Sequence, residues 1–390
     1  MPASSSTARA INDRLALDLL QDEGPLTAGQ LKTLTGLSRP SVADLVDRLQ
    51  GAGLIEVVGE SGADRRGPNA RLYGIVADRA HLAALDVRTG GVAVVVADLL
   101  GLTLAEATLP ISQDTGTEPA VEQAVALLER TVAQAGAARL HSVGIGAPGL
   151  IDPATGELRA TTGLPAWHRR LVVALQERLP ATVLVENETN LAAVAEQRTG
   201  AARGLDTFVL LWLGHGVGAA VVLGGKLRRG ASGGAGELGF LPVPGSGGLP
   251  SATGCDDGFH ALVGSAGICA LAAEHGIEAV PEPQEPAAAA VVRSAPSAGD
   301  SGAAFLDALA RRIAVGVAAV AAVLDPGCVV IGGEVGLAGG PGLAVLVGEH
   351  VARLSPLRTE VRAGALGGGA VLHGALLTAR EAAQDELFSG

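Results

Sequence analysis

Polar side chains collect at the start of one short predicted helix, in an arrangement that suits the reading of DNA. Ser38 is of a type favoured as a helix N-cap, and Pro40 is tolerated in the first turn. Arg39 and Ser41 lie at the N-terminal end, which meets base edges when such a helix enters the major groove. Arg48, further along the helix, is better placed for a phosphate.

Two adjacent arginines, Arg65 and Arg66, fall in a polar loop between two predicted strands at 54–58 and 70–73. Arginines at the tip of such a hairpin suit phosphates or a narrow minor groove. The helix and the hairpin together predict a winged helix-turn-helix. The alternative is a small helical domain used for contacts with other proteins.

Three predicted helices position these side chains. The first ends at Gly24-Pro25, Thr27 caps the second, and Gly36 supplies the turn before the third. Apolar residues recur at helical spacing in each of them. The stripes are Ile11, Leu15 and Leu19, then Leu31 and Leu34 facing inward, then Val42, Leu45, Val46 and Leu49.

A second chemically equipped stretch is the triplet Glu186-Asn187-Glu188. Adjacent carboxylates and amides suit the dense donors and acceptors of a sugar. The alternative is that Asn187 and Glu188 only cap a helix that begins near Asn190. Both interpretations remain open from the sequence.

The turn Gly214-His215-Gly216-Val217-Gly218 has the glycine content of a phosphate-binding turn. Backbone N–H groups of glycines can cradle a phosphate because no Cβ blocks its approach. The same pattern also fits a β-turn without a ligand.

Beyond the winged helix, the chain shows three strands followed by a helix, and then repeats the pattern. The predicted strands include 82–85, 92–97, 102–110, 143–146, 183–185, 208–213 and 218–223, and the predicted helices span 119–136, 190–199 and 303–324. The last of these helices is almost entirely apolar, so we expect it to be buried between two lobes. Residues 280–301, rich in Pro, Ala and Ser, are predicted to form a loop or flexible insertion.

Composition sets the class of protein. The net charge is −12, but residues 1–77 hold eight basic and nine acidic side chains, so the acidity lies in the remainder. Three scattered cysteines (Cys255, Cys269 and Cys328) indicate a reducing compartment. No secretion signal and no unbroken apolar run of about 20 residues occur, so we expect a soluble, cytoplasmic protein without a membrane span.

Several motifs, in order, resemble the ROK family (repressors, open reading frames, kinases). They are "LDVRTGG", "GIGAPGLID", "GLPAWH", "VENETNLAAVAE", "GHGVGAAVVLGGKLRRGASGGAGELGF" and "LDPGCVVIGGE". The resemblance implies an α/β protein in which a winged helix-turn-helix (1–77) precedes a two-lobed, actin-like ATPase-fold domain of the sugar-kinase, ribonuclease H-like type (78–390). Its lobes would cover roughly 78–190 and 191–390.

The resemblance also implies a sugar site. Asn187, Glu188 and Glu237 would hydrogen-bond the hydroxyls of a hexose beside Gly149, and residues 163–167 would line the cleft. Phe240 stands where the family has a histidine, which removes one polar contact and adds bulk. A different sugar, a phosphorylated or acetylated derivative, or no ligand at all then remain alternatives.

Two departures from the kinase members predict that phosphorylation has been lost. The Asp-x-Gly-Gly-Thr phosphate turn is replaced by Asp86-Val87-Arg88-Thr89-Gly90-Gly91. Glu188 occupies the position of the catalytic Asp, and its extra methylene moves the carboxylate by about an ångström, which can cost on the order of a hundredfold in rate. No residue is therefore predicted to be catalytic.

The structural zinc site of the family is also absent from the sequence. Only Cys255 remains of its thiolates, since Gly248 and Pro250 hold the earlier cysteine positions and Phe240 replaces the histidine. One sulfur cannot close a tetrahedral zinc site. We therefore expect neither a metal nor another cofactor.

The sequence predicts a homodimeric or homotetrameric regulator, with repression as the usual outcome for the family. It would bind a palindromic double-stranded operator and respond to a sugar or a sugar derivative. The alternatives are a sugar kinase with an accessory DNA-binding domain and a ligand-independent regulator whose C-terminal domain only oligomerises. Operator, effector and target genes are not specified by the sequence.

Overall fold

The computed structural model describes residues 5–61, 70–112, 114–159, 164–251, 254, 257–282 and 285–388. Within them the chain forms one three-stranded sheet and two five-stranded sheets. The small sheet belongs to the N-terminal segment. The two large sheets share one strand pattern and lie on either side of a pair of helices.

The N-terminal segment folds as predicted from its caps and turns. It comprises α1 (Ser5–Glu23), β1 (Leu26–Thr27), α2 (Ala28–Thr35), α3 (Arg39–Gly51), β2 (Ile55–Ser61) and β3 (Ala70–Ile75), with sheet order β1-β3-β2. Thr27 and Gln30 form a capping box at α2, and Gly36 adopts φ 71° after it. Ser38 caps α3 by accepting from the Ser41 N–H. All four stripe residues of α3 are buried, each contributing roughly 1.5–3 kcal/mol of apolar burial.

The apolar faces predicted for the first two helices are wrong in part. Ile11 is 59% exposed, Leu15 is 40% exposed and Leu34 is 49% exposed. By contrast, α1 buries Ala16, Leu17 and Leu20. The inward face of α1 is rotated because α1 packs on α2, on α3 and on the last helix of the chain. A four-residue apolar repeat alone did not identify that face.

The first large sheet has the order β6-β5-β4-β7-β8. Its elements are β4 (His81–Arg88), β5 (Gly91–Asp98), β6 (Thr103–Pro110), α4 (Thr117–Gln134), β7 (Ser142–Ala147), α5 (Ala166–Arg178) and β8 (Thr182–Asn187), followed by α6 (Glu188–Thr199). The pairs β4–β5 and β5–β6 are antiparallel, and β4–β7 and β7–β8 are parallel.

The second large sheet repeats this arrangement in the order β11-β10-β9-β12-β13. Its strands are β9 (Phe208–Leu213), β10 (Val217–Leu223), β11 (Lys226–Arg228), β12 (Cys328–Gly332) and β13 (Glu360–Ala363). Its helices are α7 (Phe259–Val263), α8 (Ser265–Glu274), α9 (Ala287–Ser294), α10 (Gly299–Leu324), α11 (Gly333–Leu354) and α12 (Ala370–Phe388). The duplication predicted from the order of the elements is confirmed.

Alternating strand residues divide the core into layers. One face of each large sheet contributes to a shared cluster with α6 and α12, for example Leu82 of β4 and Leu210 of β9. The opposite faces pack on α4 and α5 in the first half and on α9, α10 and α11 in the second. The helix predicted between the lobes, α10, therefore lies on the outside of the second sheet. The helices between the sheets are α6 and α12.

Residues 280–301 are not a loop throughout, contrary to the prediction. They contain α9, a 3₁₀ turn at Ala295–Ala298 and the start of α10. Alanine favours helix, and Pro286 is the N-cap residue of α9 rather than an interruption of it. Composition alone favours a loop or flexible insertion because it does not register where in the segment the prolines lie.

The chain passes between the two large sheets twice, and one buried carboxylate bonds to both passages. The first passage is α6 with the loop after it, and the second is residues 364–369. Glu196 accepts from the N–H of Ala201 at 2.7 Å, and from those of Ala365 and Leu366 at 2.8 and 3.0 Å. Because such charge-assisted bonds are strong, the two passages are held together at this point.

The last helix returns to the first half of the molecule. α12 packs along β4 and β7 and crosses α6. Our predicted lobes, 78–190 and 191–390, placed this helix with the second half. The boundaries at 77 and 190 remain predictions. A division into lobes has to assign α12 to the first half, against which it packs.

By length and composition, one described helix, α11, could cross a membrane. Its backbone breaks at Gly340 (φ 54°, ψ −157°), before Pro341, and the helix packs against α9, α10 and β13. This packing buries part of the apolar surface of α11, while Leu337, Val345 and Leu354 are exposed.

Candidate ligand cleft and DNA-reading helix

Asn187, at the junction of β8 and α6, connects two parts of the predicted sugar site. Its Oδ1 accepts from the N–H groups of Thr189 (2.9 Å) and Asn190 (3.3 Å), so it caps α6. Its Nδ2 donates to the carbonyl oxygen of Gly149 at 3.0 Å. Gly149 has φ 106°, a conformation that favours glycine. The capping role that the sequence left open is present, and the same side chain also fixes the Gly149 turn.

Glu188 is the first residue of α6 and lies among other carboxylates. Burial raises its pKa to about 8, and the neighbouring carboxylates of Asp86 and Glu237 add to the shift. Two of the residues predicted to bind sugar, Glu188 and Glu237, are therefore close enough to interact electrostatically. A carboxyl group protonated at neutral pH can donate a hydrogen bond as well as accept one.

Glu186, the residue before Asn187, is buried and fully engaged. Its Oε1 accepts from the Asn187 N–H and from Asn190 Nδ2, both at 2.9 Å. Its Oε2 pairs with Arg229 Nε at 2.5 Å, which joins the two halves of the molecule. A cavity of about 530 Å³ lies beside Glu186 and Arg229. Gly149, Asn187, Glu188 and Glu237 do not line it.

The altered phosphate turn between β4 and β5 is bonded to the rest of the chain through Arg88. Its guanidinium pairs with Asp86 (Nε to Oδ2, 2.6 Å), which is only 2% exposed. Its Nη2 donates to the carbonyl of Gly368 at 2.7 Å, and its Nη1 lies 3.7 Å from Glu334 Oε1. Arg88 thus reaches from the first half to the second half and to the turn that begins α12.

His168 of α5 contacts the backbone of the same turn. It is buried, and its Nε2 lies 3.2 Å from the carbonyl oxygen of Arg88. Burial lowers the pKa of His168 to about 4, so the ring is neutral and Nε2–H donates to that carbonyl. Its Nδ1 has no hydrogen-bond partner among the described residues.

The glycine-rich turn between β9 and β10 approaches Glu334, as Arg88 does. A Cβ on Gly214 would lie 2.7 Å from Glu334 Oε2 and 3.0 Å from Trp212 Nε1. A Cβ on Gly216 would meet only His260 Cε1, at 4.0 Å. Glu334 therefore connects the two turns, since it also approaches Arg88.

Of four other positions that the sequence singled out, Trp167 and Phe240 lie among the described residues. Gly163 lies outside the described residues, and Trp167 is buried in the core of the first half, so it does not line a cleft. Phe240 is 39% exposed in a short 3₁₀ turn after Glu237. Cys255 is also outside the described part of the chain. The residues that the structure describes contain no group of three or more metal-ligating side chains.

The N-terminal turn of α3 is exposed, as a DNA-reading helix requires. Ser38, Arg39 and Ser41 are all exposed, and no ion pair of Arg39 occurs within the described part of the chain. Ser38 and Ser41 share a hydrogen bond of 2.8 Å between their hydroxyls.

Arg48, predicted for a phosphate, is committed to two carboxylates. Its Nη2 lies 2.6 Å from Asp13 Oδ1, and it also pairs with Asp44. Asp44 and Asp47 are exposed on α3, so negative charge begins directly after its first turn. Arg65 and Arg66 lie outside the described residues. Arg71, an exposed arginine on β3 of the wing, was not among the predicted DNA contacts.

α1 is held against the end of α12 by polar contacts. Arg14 Nη1 lies 2.6 Å from Asp385 Oδ1, and its guanidinium carbon lies 5.7 Å from the centre of the Phe388 ring. Gln384 Nε2 donates to Gln21 Oε1 at 2.7 Å and approaches the carbonyl of Leu99 at 3.3 Å. The winged helix is therefore packed on the first half of the molecule.

The fold and the cleft together define a winged helix-turn-helix joined to a duplicated domain of the sugar-kinase type. The model of the ROK family matches residues 83–382, and that of the MarR family matches residues 11–67. The chain belongs to the ROK family.

Relatives include regulators and kinases. A putative xylose repressor of Caldicellulosiruptor sp. is 22% identical over 85% of both chains. A glucokinase of Halalkalibacterium halodurans is 32% identical over 51% of this chain and 63% of its own length. The chain thus spans less than two thirds of that enzyme. The solved structure of a ROK family transcriptional regulator, a homologue of the Escherichia coli MLC protein, covers 98% of both chains with a TM-score of 0.76 at 20% identity.

Proposed function

We propose that this chain is a DNA-binding transcriptional regulator, most simply a repressor, whose activity responds to a sugar or a sugar derivative. The observation that carries the proposal is the exposed first turn of α3, which presents Ser38, Arg39 and Ser41 beside a wing. The regulator relative that aligns over 85% of both chains supports it, since the structure of a ROK hexokinase from Thermus thermophilus covers only 78% of this chain.

The test is binding of the full chain to its own upstream DNA, and to genomic fragments selected by binding, across a salt series. Arg39→Ala should weaken binding about tenfold, because an arginine contact to a base edge contributes about 1–3 kcal/mol. Arg178→Ala is the matched control, since Arg178 is an exposed arginine of α5 far along the chain from the winged helix. An empty selection with folded protein would contradict the proposal.

Arg48, Arg65 and Arg66 remain proposed phosphate contacts, with a narrow minor groove as the alternative for the two wing arginines. Arg48 also has ion-pair partners in the folded chain. Its pairing with Asp13 and Asp44 leaves less of its charge for DNA. We therefore expect Arg48→Ala to reduce affinity less than Arg39→Ala does. For both variants, the slope of log affinity against log salt should be smaller than that of the wild-type chain.

The sugar response is proposed for the cleft beside Gly149, with Asn187, Glu188 and Glu237 as the polar contacts. Calorimetric titration with a panel of hexoses, pentoses and acetylated or phosphorylated derivatives tests it. Glu237→Gln is the informative variant, because Asn187 also caps α6 and its loss would disturb the helix. Unchanged operator affinity with every sugar of the panel would favour the ligand-independent alternative.

Loss of kinase activity is also part of the proposal. Arg88 lies where the kinase members wrap a phosphate, and it is paired there with Asp86 and near Glu334. Glu188 stands at the position of the base. A coupled assay with Mg²⁺-ATP and each sugar should show no turnover above a protein-free control. Turnover would instead support a sugar kinase with an accessory DNA-binding domain, as the glucokinase relative suggests.

The oligomeric state, location and metal content complete the proposal. A two-fold homodimer or homotetramer would match a palindromic operator. We propose a cytoplasmic protein without zinc or another cofactor. Light scattering of the purified protein and elemental analysis for zinc test these points, and a monomer or stoichiometric zinc would contradict them.

A further inference from the structure

α12 contacts the proposed ligand site at its start and the winged helix at its end. Gly368, in the 3₁₀ turn directly before it, accepts a hydrogen bond from Arg88 at 2.7 Å. A Cβ on Gly368 would lie 2.8 Å from Glu334 Oε1, so the same turn is pressed against the second half of the molecule. Its 19 residues span about 28 Å.

Near its N-terminal end, α12 touches neighbouring backbones directly. A Cβ on Gly374 would overlap the carbonyl oxygen of Leu191 in α6, and a Cβ on Gly144 of β7 would overlap the carbonyl oxygen of Ala375. At both crossings, the glycine allows the two backbones to contact each other directly. Because α6 begins at Asn187 and Glu188, a shift of its first turn has to move α12 at Gly374.

At its other end, α12 contacts α1 of the winged helix. The contacts are the Arg14–Asp385 ion pair, the Gln21–Gln384 hydrogen bond and the packing of Arg14 over Phe388. Arg380 also donates to the carbonyl of Leu100 at 3.2 Å. A change in the direction of α12 therefore changes the surface against which α1 packs.

We propose that α12 couples the ligand cleft to the DNA-binding domain. The Arg88–Gly368 contact and the Leu191–Gly374 crossing set the direction of the helix, and the contacts of Gln384 and Asp385 pass that direction to α1. This inference rests on the proposed function, because it names the route by which a cleft ligand changes DNA binding. Coupling of this kind acts equally in both directions.

The first experiment is hydrogen exchange of the full chain, read by mass spectrometry without DNA or sugar. Arg88→Met should raise the exchange rates of amides in α1 and in the last two turns of α12 at least threefold, although these lie far from residue 88. Arg178→Met is the control, since its side chain is as exposed as that of Arg88 and it also pairs with a glutamate. Changes confined to the β4–β5 turn and Gly367–Gly369 would overturn the proposal.

The reverse experiment starts at the other end and covers the case in which Arg88→Met fails to fold. Gln384→Ala should raise exchange at the β4–β5 turn and at Gly367–Gly369. Glu381→Ala, on the same helix but paired with exposed Arg198, should leave both segments unchanged. Equal effects of Gln384→Ala and Glu381→Ala at the cleft, or no effect of either, would overturn the proposal.

A double-variant cycle on DNA affinity separates this inference from the proposed function. Distant, independent changes multiply in their effects on affinity. We expect the double variant Arg88→Met, Gln384→Ala to differ at least threefold from the product of the two single changes. A product within error overturns the coupling while leaving the regulator intact. If the wild-type chain binds no DNA, the proposed function fails, and the exchange experiments alone decide whether α12 connects the two sites.

Discussion

The two halves of the duplicated domain each carry a hairpin turn at the equivalent place, and the two turns have diverged. The β4–β5 turn contains Arg88, which bonds to Asp86 and Gly368 and approaches Glu334. The β9–β10 turn keeps its glycines, and the space next to Gly216 is open. One turn is bonded through a side chain to distant parts of the chain, and the other buries Gly214 but leaves space beside Gly216.

This difference shows how a ligand-binding turn can become a structural contact without a change of fold. Strand order and the antiparallel pairing of each hairpin remain those of a duplicated pair. One side chain, Arg88, supplies a positive charge beside the buried carboxylate of Asp86 and extends to the second half. The turns meet at Glu334, which lies near both Arg88 and Gly214. Variants at these positions test whether the turns have separate roles.

Arg88→Met should have the largest effect, because it leaves the buried carboxylate of Asp86 without its cation. Breaking a fully buried pair costs about 3–5 kcal/mol, and the 38% exposure of Arg88 reduces the expected loss in the free energy of unfolding to about 2 kcal/mol. Urea unfolding measures it. The double variant Asp86→Asn, Arg88→Met should recover most of the loss. If it does not, the arginine stabilises the turn by some means other than this pair.

Gly214→Ala should have the next largest effect, although it lies in the open turn. The new Cβ would lie 2.7 Å from Glu334 Oε2, so the carboxylate has to move away from its place between the turns. We expect a loss of about 1 kcal/mol in the free energy of unfolding. The loss should shrink in an Arg88→Met background, since the Arg88–Glu334 approach is then already gone. Equal losses in both backgrounds would show that the turns do not communicate through Glu334.

Glu188→Gln should change the pH dependence of stability. The folded pKa of about 8 lies above the ordinary 4.5, so between these values the folded protein holds a proton that the unfolded chain releases. The free energy of unfolding therefore falls as pH rises from about 4.5 through 8. Glutamine cannot ionise and avoids this loss. Thermal unfolding should show the variant about 2 °C more stable at pH 9 and unchanged at pH 5, and a pH-independent difference would contradict the shift.

Gly216→Ala should have the smallest effect, because the Cβ meets only His260 Cε1 at 4.0 Å. We expect a change within about 0.5 kcal/mol, measured by the same urea unfolding. Any loss of sugar or nucleotide binding by this variant would then identify the second turn as a ligand contact. A large loss of stability would show that the turn is packed more tightly than its glycines indicate.

The sequence predicted the elements that depend on local signals. The caps at Thr27 and Ser38, the turn at Gly36 and the four-residue stripe of α3 are all present, since each depends on residues within one or two turns. The duplicated strand order also followed from the order of apolar runs. The site residues remain predictions, although Asn187 does contact Gly149.

The sequence did not predict contacts that depend on distant parts of the chain. Arg88 was recognised as an intrusion, but its partners Glu334 and Gly368 lie more than 240 residues away. The inward face of α1 depends on α12, which packs against it only in the folded chain. Likewise, Asp13 of α1 engages Arg48 of α3, which no helical spacing within α3 could reveal.

The return of α12 to the first sheet has a consequence for synthesis of the protein. A ribosome makes α12 after the whole second half, yet Leu82 and Ala84 of β4 lie in the core cluster that α12 completes. Until that helix is synthesised, one face of the first sheet remains exposed to solvent or bound to a chaperone. The winged helix is synthesised much earlier, but its contacts with Gln384 and Asp385 also form only after α12 has been made. Nascent chains cut before residue 370 should therefore be the ones most prone to aggregation.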